Sequence, residues 1–181
     1  MKIQVNDYTF YRHTNFMDST YKEKYIADID KVILDGHVAS DNVPPLQTKT
    51  DLYNHVKVYN RWIELQEKIK KIIEENIGKV QLTESWANIS REDNRYGFHT
   101  HKRDITVVYY AKNNYPEFGT NIDEQVIIPG VEDSLLIFDG KIRHQLCNMP
   151  FELAVHPHNH RYSIVFDFNI DKSTNPDNIA K

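Results

Sequence analysis

The clearest periodicity in the chain lies between residues 60 and 78, "NRWIELQEKIKKIIEENIG". Apolar positions Trp62, Leu65, Ile69, Ile72, Ile73 and Ile77 recur every three or four residues among Lys and Glu, which predicts a helix with one apolar face. Gly78 is placed to end it, because glycine readily takes the left-handed backbone that closes a helix. At Val80 the period changes to two. "KVQLTESWANIS" puts Val80, Leu82, Glu84, Trp86 and Asn88 on one face of a strand. "DITVVYYAK", "EQVIIPG", "DSLLIFDG", "IRHQLC" and "HRYSIVFDFNI" follow, mostly separated by Gly, Pro, Asn or Asp. Short strands at this spacing predict a mainly β chain with flanking helices, folded as a sandwich or jelly roll rather than as βαβ units.

Ahead of the helix, Ile3, Val5, Tyr8 and Phe10 alternate loosely and predict one or two short strands. "DNVPPLQTKTDL" (41–52) reads as a loop, since two prolines in series fit neither a helix interior nor a central strand. The tail "DKSTNPDNIAK" reads as frayed. The helix is expected to pack outside two facing antiparallel sheets through Trp62, Leu65, Ile69 and Ile73.

Composition narrows this picture only a little. The 181 residues fit a single domain, 1–181, long enough to bury a core. Twenty-two Lys+Arg against 26 Asp+Glu, with no block of like charges, argue against a nucleic-acid or acidic-lipid surface. The start "MKIQVNDYTFYRH" lacks a signal-peptide core, and no stretch approaches membrane-spanning length. Cys147, the one cysteine, excludes an internal disulfide and suits a reducing cytoplasm. Eleven Tyr and eight Phe exclude a disordered chain.

The candidate chemistry begins at "RYGFHTHKRD" (95–104). His99 and His101, two apart on an extended chain, share one side, where they can bind one metal or simply be solvated. His144, after the strand "SLLIF" and the tight turn "DG", is the best third ligand. Together the three would leave half of an octahedral iron open. Arg161 opens the apolar run "RYSIVFDF", where a guanidinium needs a partner, and its planar fork suits a carboxylate. Ser163 shares its face. A three-His face with an Arg–x–Ser grip describes a site for a dicarboxylate bound to iron.

Taken together, "LQTKTDL", "SWANIS", "FHTHKRDITVVYYAK", "FGTNID", "DSLLIFDGKIRH" and "RYSIVFDFNI" resemble the 2-oxoglutarate- and Fe(II)-dependent oxygenases. The pattern is most similar to a small bacterial and phage branch related to prolyl hydroxylases, over about Leu46 to Ile170. The resemblance implies a double-stranded β-helix (jelly roll, cupin-like) with Fe(II) as cofactor and 2-oxoglutarate as cosubstrate. It further implies O2 and an unidentified substrate, a peptidyl proline or a small molecule, as partners. His99, His101 and His144 would take the ligand positions and Arg161, supported by Ser163, the distal carboxylate of 2-oxoglutarate. Tyr96 would lie against the cosubstrate, and Tyr110 and Asn88 would line the barrel. Strand "RYSIVFDF" is expected beside the strand bearing His144.

His101 departs from the superfamily, where Asp or Glu usually occupies that position, and leaves the site one negative charge short. Asp104 is the alternative second ligand. Two other functions compete: a cupin-like three-His dioxygenase that needs no 2-oxoglutarate, and a non-catalytic jelly-roll binding module. "HPHNH" (His156, His158, His160) reads as a solvated loop, His13, His37 and His55 as surface residues without partners, and Cys147 as an apolar filler. The segment 111–123 suits a lid, and "NVPPLQTKT" part of the mouth.

Overall fold

Alternating positions from Val80 onward build two antiparallel sheets of unequal size. The computed structural model describes residues 1–5, 8–39, 46–90 and 97–174. In chain order the strands are β1 (Lys2–Val5), β2 (Tyr8–Thr14), β3 (Leu46–Gln47), β4 (Val80–Ser90), β5 (Ile105–Lys112), β6 (Thr120–Ile122), β7 (Val126–Ile128), β8 (Ser134–Asp139), β9 (His144–Leu146) and β10 (Arg161–Ile170). The large sheet has the order β1-β2-β8-β5-β10-β4-β3 and the small one β7-β6-β9. This is the jelly roll that the strand pattern predicted.

Helices α1 (Lys22–Leu34), α2 (Leu52–Val56) and α3 (Asn60–Asn76) cover the outer face of the large sheet, and α4 (Phe151–Ala154) is a single turn near the start of β10. Trp62, Leu65, Ile69 and Ile73 of α3 are fully buried and join Tyr25 and Ile29 of α1 against Ile164, Phe166 and Phe168 of β10. A second apolar cluster, including Val108, Leu136, Phe138, Leu146 and Val165, fills the space between the sheets. Asp28 of α1 is buried and accepts from Trp62 Nε1 at 2.6 Å and from Arg61 Nε at 2.8 Å, tying α1 to α3. Among the described residues no helix is long and apolar enough to cross a membrane.

Three local expectations need correction. Ile77 is 42% exposed, because the helix closes one residue earlier and Gly78, at φ +146°, turns the chain away. The stretch 41–52 is not all loop. Leu46 and Gln47 pair with Ile89 and Asn88 as an edge strand, and Leu52 already begins α2. Residues 41–45 of that stretch, and 175–181 of the expected frayed tail, lie outside the described residues; Lys172–Thr174 form a short 3-10 turn.

The third correction concerns β4. Glu84 pairs with Asp167 and Leu82 with Phe168, so Thr83 is an extra residue, a β-bulge, whose hydroxyl donates to Asp167 O at 2.8 Å. The bulge inverts the faces. Val80 and Leu82 pack with the helices, whereas Glu84, Trp86 and Asn88 turn to the interior between the sheets.

Candidate active site

His99 and His101 lie on the segment that leads into β5, where His99 forms a bridge to His144 at the start of β9. The backbones of His99 and His144 exchange two hydrogen bonds of 2.9 Å, which makes the two residues direct cross-strand neighbours. Two residues on, His101 N donates to Gly140 O at 2.7 Å, and the chain then enters β5. Gly140 sits in the Asp139–Gly140 turn that reverses β8 into β9. A Cβ there would lie 2.4 Å from Arg103 O, so only glycine allows the two segments to approach.

These backbone contacts bring the three imidazoles together. Ring centroids are 5.2 Å apart for His99 and His101, 4.5 Å for His99 and His144, and 4.9 Å for His101 and His144. One nitrogen from each lies within 4.8 Å of the others. Each Nδ1 is engaged: His99 with Gly97 O at 3.0 Å, His144 with Ile142 O at 2.8 Å, His101 with Asp167 Oδ1 at 2.8 Å. A ring nitrogen facing a carbonyl or carboxylate oxygen carries the proton, which leaves each Nε2 with the lone pair a metal requires.

Burial pushes the His144 imidazole down to about 3, with His99 and His101 acting in the same direction. Burial also lowers His99. Both rings are therefore neutral near pH 7, the form that binds metal. Three imidazoles are a donor set that suits Fe(II), so the residues present fit the cofactor the sequence implies.

The histidines open onto a cavity of about 400 Å³ between the sheets. Trp86 forms one wall, its ring centroid 5.3 Å from that of His101. Asn88 and Ser163, directly opposite in the β4–β10 register, line the cavity and are both more than nine-tenths buried. Asn88 Oδ1 is buried with no hydrogen-bond partner among the described residues. Gln47 and Thr50 also line it, and from the segment 111–123 only Thr120 does. The rest of that segment is tied down, with Asn113 Nδ2 donating to Gly130 O and Asn114 Nδ2 to His158 O, so it forms a wall more than a lid.

Arg161 and Tyr110 share the inward face but do not line the cavity. Arg161 is 1% exposed, and its guanidinium donates to Ser90 Oγ and Cys147 O at 3.0 Å each and to Phe118 O. Tyr110 OH lies 2.5 Å from Thr120 Oγ1, and burial pushes the phenol up to about 12. Tyr96 lies outside the described residues. The neighbours of β10 are β4 and β5, not β9. His144 faces β10 from the small sheet, because β9 pairs with β6 after the Asp139–Gly140 turn.

Asp104 is not in the histidine cluster; its Oδ2 accepts from Ile170 N at 2.9 Å and fastens the end of β10. The sequence reading missed Asp167 and Thr106. Thr106 Oγ1 donates to Asp167 Oδ1 at 2.8 Å and lies 2.8 Å from His101 Nδ1. Asp167 is 2% exposed, on the same face of β10 as Arg161 and Ser163. Its signal was a carboxylate at even spacing from those two in an apolar run. Of the remaining histidines, His156 and His158 are exposed, as expected. His13 is half-buried against Phe16, and His37 and His55 are half-buried with rings 3.7 Å apart, so these three do have partners.

No protein-family model matches the sequence, and no curated protein matches it. Solved structures do. The chain is similar to a viral collagen prolyl hydroxylase from Paramecium bursaria Chlorella virus-1 in complex with 2-oxoglutarate. That match has 10% identity and a TM-score of 0.60 and covers 90% of this chain and 96% of the other. It is similar to HygX from Streptomyces hygroscopicus with nickel, 2-oxoglutarate and hygromycin B bound, at 10% identity and TM-score 0.67 over 90% and 83%. A Pseudomonas putida prolyl-4-hydroxylase matches at 12% identity and TM-score 0.59 over 90% and 92%. The chain thus has the fold of the 2-oxoglutarate- and Fe(II)-dependent oxygenases.

Proposed function

We propose that this protein is an Fe(II)- and 2-oxoglutarate-dependent dioxygenase that hydroxylates an organic substrate, a peptidyl proline or a small molecule. One observation supports it above the rest: three imidazoles, each held by its Nδ1, converge at the mouth of a cavity in this fold. His99, His101 and His144 would hold the iron. When bound, Fe(II) supplies the oxidative chemistry that couples O2 and 2-oxoglutarate to substrate hydroxylation, with release of succinate and CO2.

The chain's own residues orient the reactants and exclude water. Asn88 Oδ1 accepts a hydrogen bond from a ligand in the cavity, and Ser163 donates one beside it. Arg161 provides positive charge at the inner end of the same face for the 5-carboxylate of 2-oxoglutarate. Trp86 closes one side and limits water near the reacting atoms. Substrate enters past Gln47 and Thr50.

A second reading is favoured by the position of Arg161, which does not line the cavity and already donates to three oxygens. It is a three-His dioxygenase that binds its substrate directly and needs no 2-oxoglutarate. Anaerobic titration of the Fe(II)-loaded protein with 2-oxoglutarate, then succinate measurement after O2 is admitted, separates the two. The first reading expects saturable binding and succinate. It also expects Arg161→Leu to weaken 2-oxoglutarate binding tens-fold or more, as loss of a desolvated charge pair costs about 2–5 kcal/mol. No 2-oxoglutarate binding by the native protein would leave the second reading.

A further inference from the structure

His101 in place of a carboxylate ligand leaves the metal site one negative charge short, and the structure contains a group able to supply it. We infer that Asp167 is the charge-compensating and positioning residue of the metal site, acting through His101. This rests on the reading of His99, His101 and His144 as metal ligands.

Asp167 is 2% exposed, and its Oδ1 lies 2.8 Å from His101 Nδ1. Thr106, fully buried, completes a triangle in which each of the three atoms is 2.8 Å from the others. The Thr106 hydroxyl has one proton, which it donates to Asp167. His101 Nδ1–H is then shared between Asp167 Oδ1 and Thr106 Oγ1. That arrangement fixes the tautomer with Nε2 facing the other two histidines, and it fixes the ring plane. Among the described residues, no Lys or Arg forms an ion pair with Asp167. A buried carboxylate whose side-chain partners are one imidazole and one hydroxyl, with no Lys or Arg beside it, is a place where positive charge is favoured. A divalent cation on the far nitrogen of His101 provides the missing positive charge, relayed through the ring.

The same geometry explains why a histidine can stand where a carboxylate is usual. The carboxylate has moved one shell outward, from the metal to the ring behind it, and comes from β10 instead of the segment that carries His99. Such carboxylate–histidine–metal arrangements raise the basicity of the ligand, and their loss typically weakens metal binding by about 10- to 100-fold.

Asp167→Asn keeps the shape and removes the charge. Titrated anaerobically with Fe(II), or with Co(II) as a spectroscopic probe, it should bind about 10- to 100-fold more weakly than the native protein. Melting of the chelator-treated variant should stay unchanged or rise, since the metal-free protein loses an uncompensated buried charge. A merely structural residue would lower the metal-free melting temperature instead. A second pair keeps the charge question open to refutation. His101→Asp restores a direct carboxylate ligand but sets it against Asp167, so adding Asp167→Asn to it should strengthen Co(II) binding, the reverse of its effect in the native background. The inference is overturned if Asp167→Asn binds metal like the native protein, or if it lowers metal affinity and metal-free stability together. It is equally overturned if it weakens binding in both backgrounds. Absence of metal binding by the native protein defeats the three-His reading itself and is distinguishable from all of these.

Discussion

Replacing His144 by Gln should flatten the pH dependence of folding stability in the metal-free protein. His144 is 5% exposed, and burial lowers its imidazole from the ordinary 6.5 to about 3. The folded chain thus holds the ring neutral where the unfolded chain protonates it. A depressed folded pKa contributes stability that is fully present above 6.5 and is lost as pH falls toward about 3. In that window the unfolded state binds up to one more proton, half of one at pH 6.5 and nearly all of it by 5.5, so each pH unit removes up to about 1.4 kcal/mol. Acidification from pH 6.5 to 4.5 should therefore cost the native protein about 2 kcal/mol through His144 alone. Other groups titrate in the same range, His99 among them, and the variant retains those. The informative quantity is the difference between native and His144→Gln. Urea unfolding in a chelator at half-unit pH steps measures it. The native curve should fall more steeply by about 2 kcal/mol over those two units. Parallel curves would refute the assignment of His144 as a ring held neutral by burial.

Two further outcomes test the framework around the site. Ile69→Ala removes a fully buried side chain from the face of α3 that seats on the large sheet, and urea unfolding should show a loss of about 2–4 kcal/mol. A loss below about 1 kcal/mol would mean that the helix can settle into the space. Gly140→Ala forces a methyl against Arg103 O, 2.4 Å from the ideal Cβ position, and displaces the carbonyl that accepts from His101 N. Co(II) affinity should drop by about tenfold or more, as for other losses of ligand support, whereas unchanged affinity would show that the turn does not set the ligand geometry.

The parts of this protein visible in the sequence are those whose cause is local. Helix α3 announced itself because its partner is a flat sheet, which asks only for a stripe of Trp62, Leu65, Ile69 and Ile73. Helix α1 went unnoticed although Tyr25, Ile29 and Val32 keep the same spacing, because Asp28 interrupts that face. Asp28 is tolerated there only through Arg61 and Trp62, more than thirty residues away. The site divides in the same way. His99 and His101 are legible from their spacing, and His144 from the strand and turn before it. The triangle of His101, Thr106 and Asp167 depends on β5 and β10 lying side by side, which no short-range pattern encodes. The depth of Arg161 relative to the cavity depends on where Phe118 and Cys147 place their carbonyls, and it too is a property of the assembled fold.

The extra residue at Thr83 gives β4 a tolerance of length that an unbroken strand lacks. Side chains on a strand alternate with a strict phase, and Thr83 is the one place where β4 slips that phase against β10. Leu82 and Glu84 already stand opposite consecutive residues of β10, Phe168 and Asp167, so deleting Thr83 would close the ladder without turning any other side chain over. The loss would be one hydrogen bond, from the Thr83 hydroxyl to Asp167 O. Removing one residue between Glu84 and Asn88, where the ladder runs without a slip, would instead turn the strand over on one side of the gap and send an amide or an indole to the wrong layer. Chains descended from this one are therefore free to drop the letter at 83, but not one from the run that follows it.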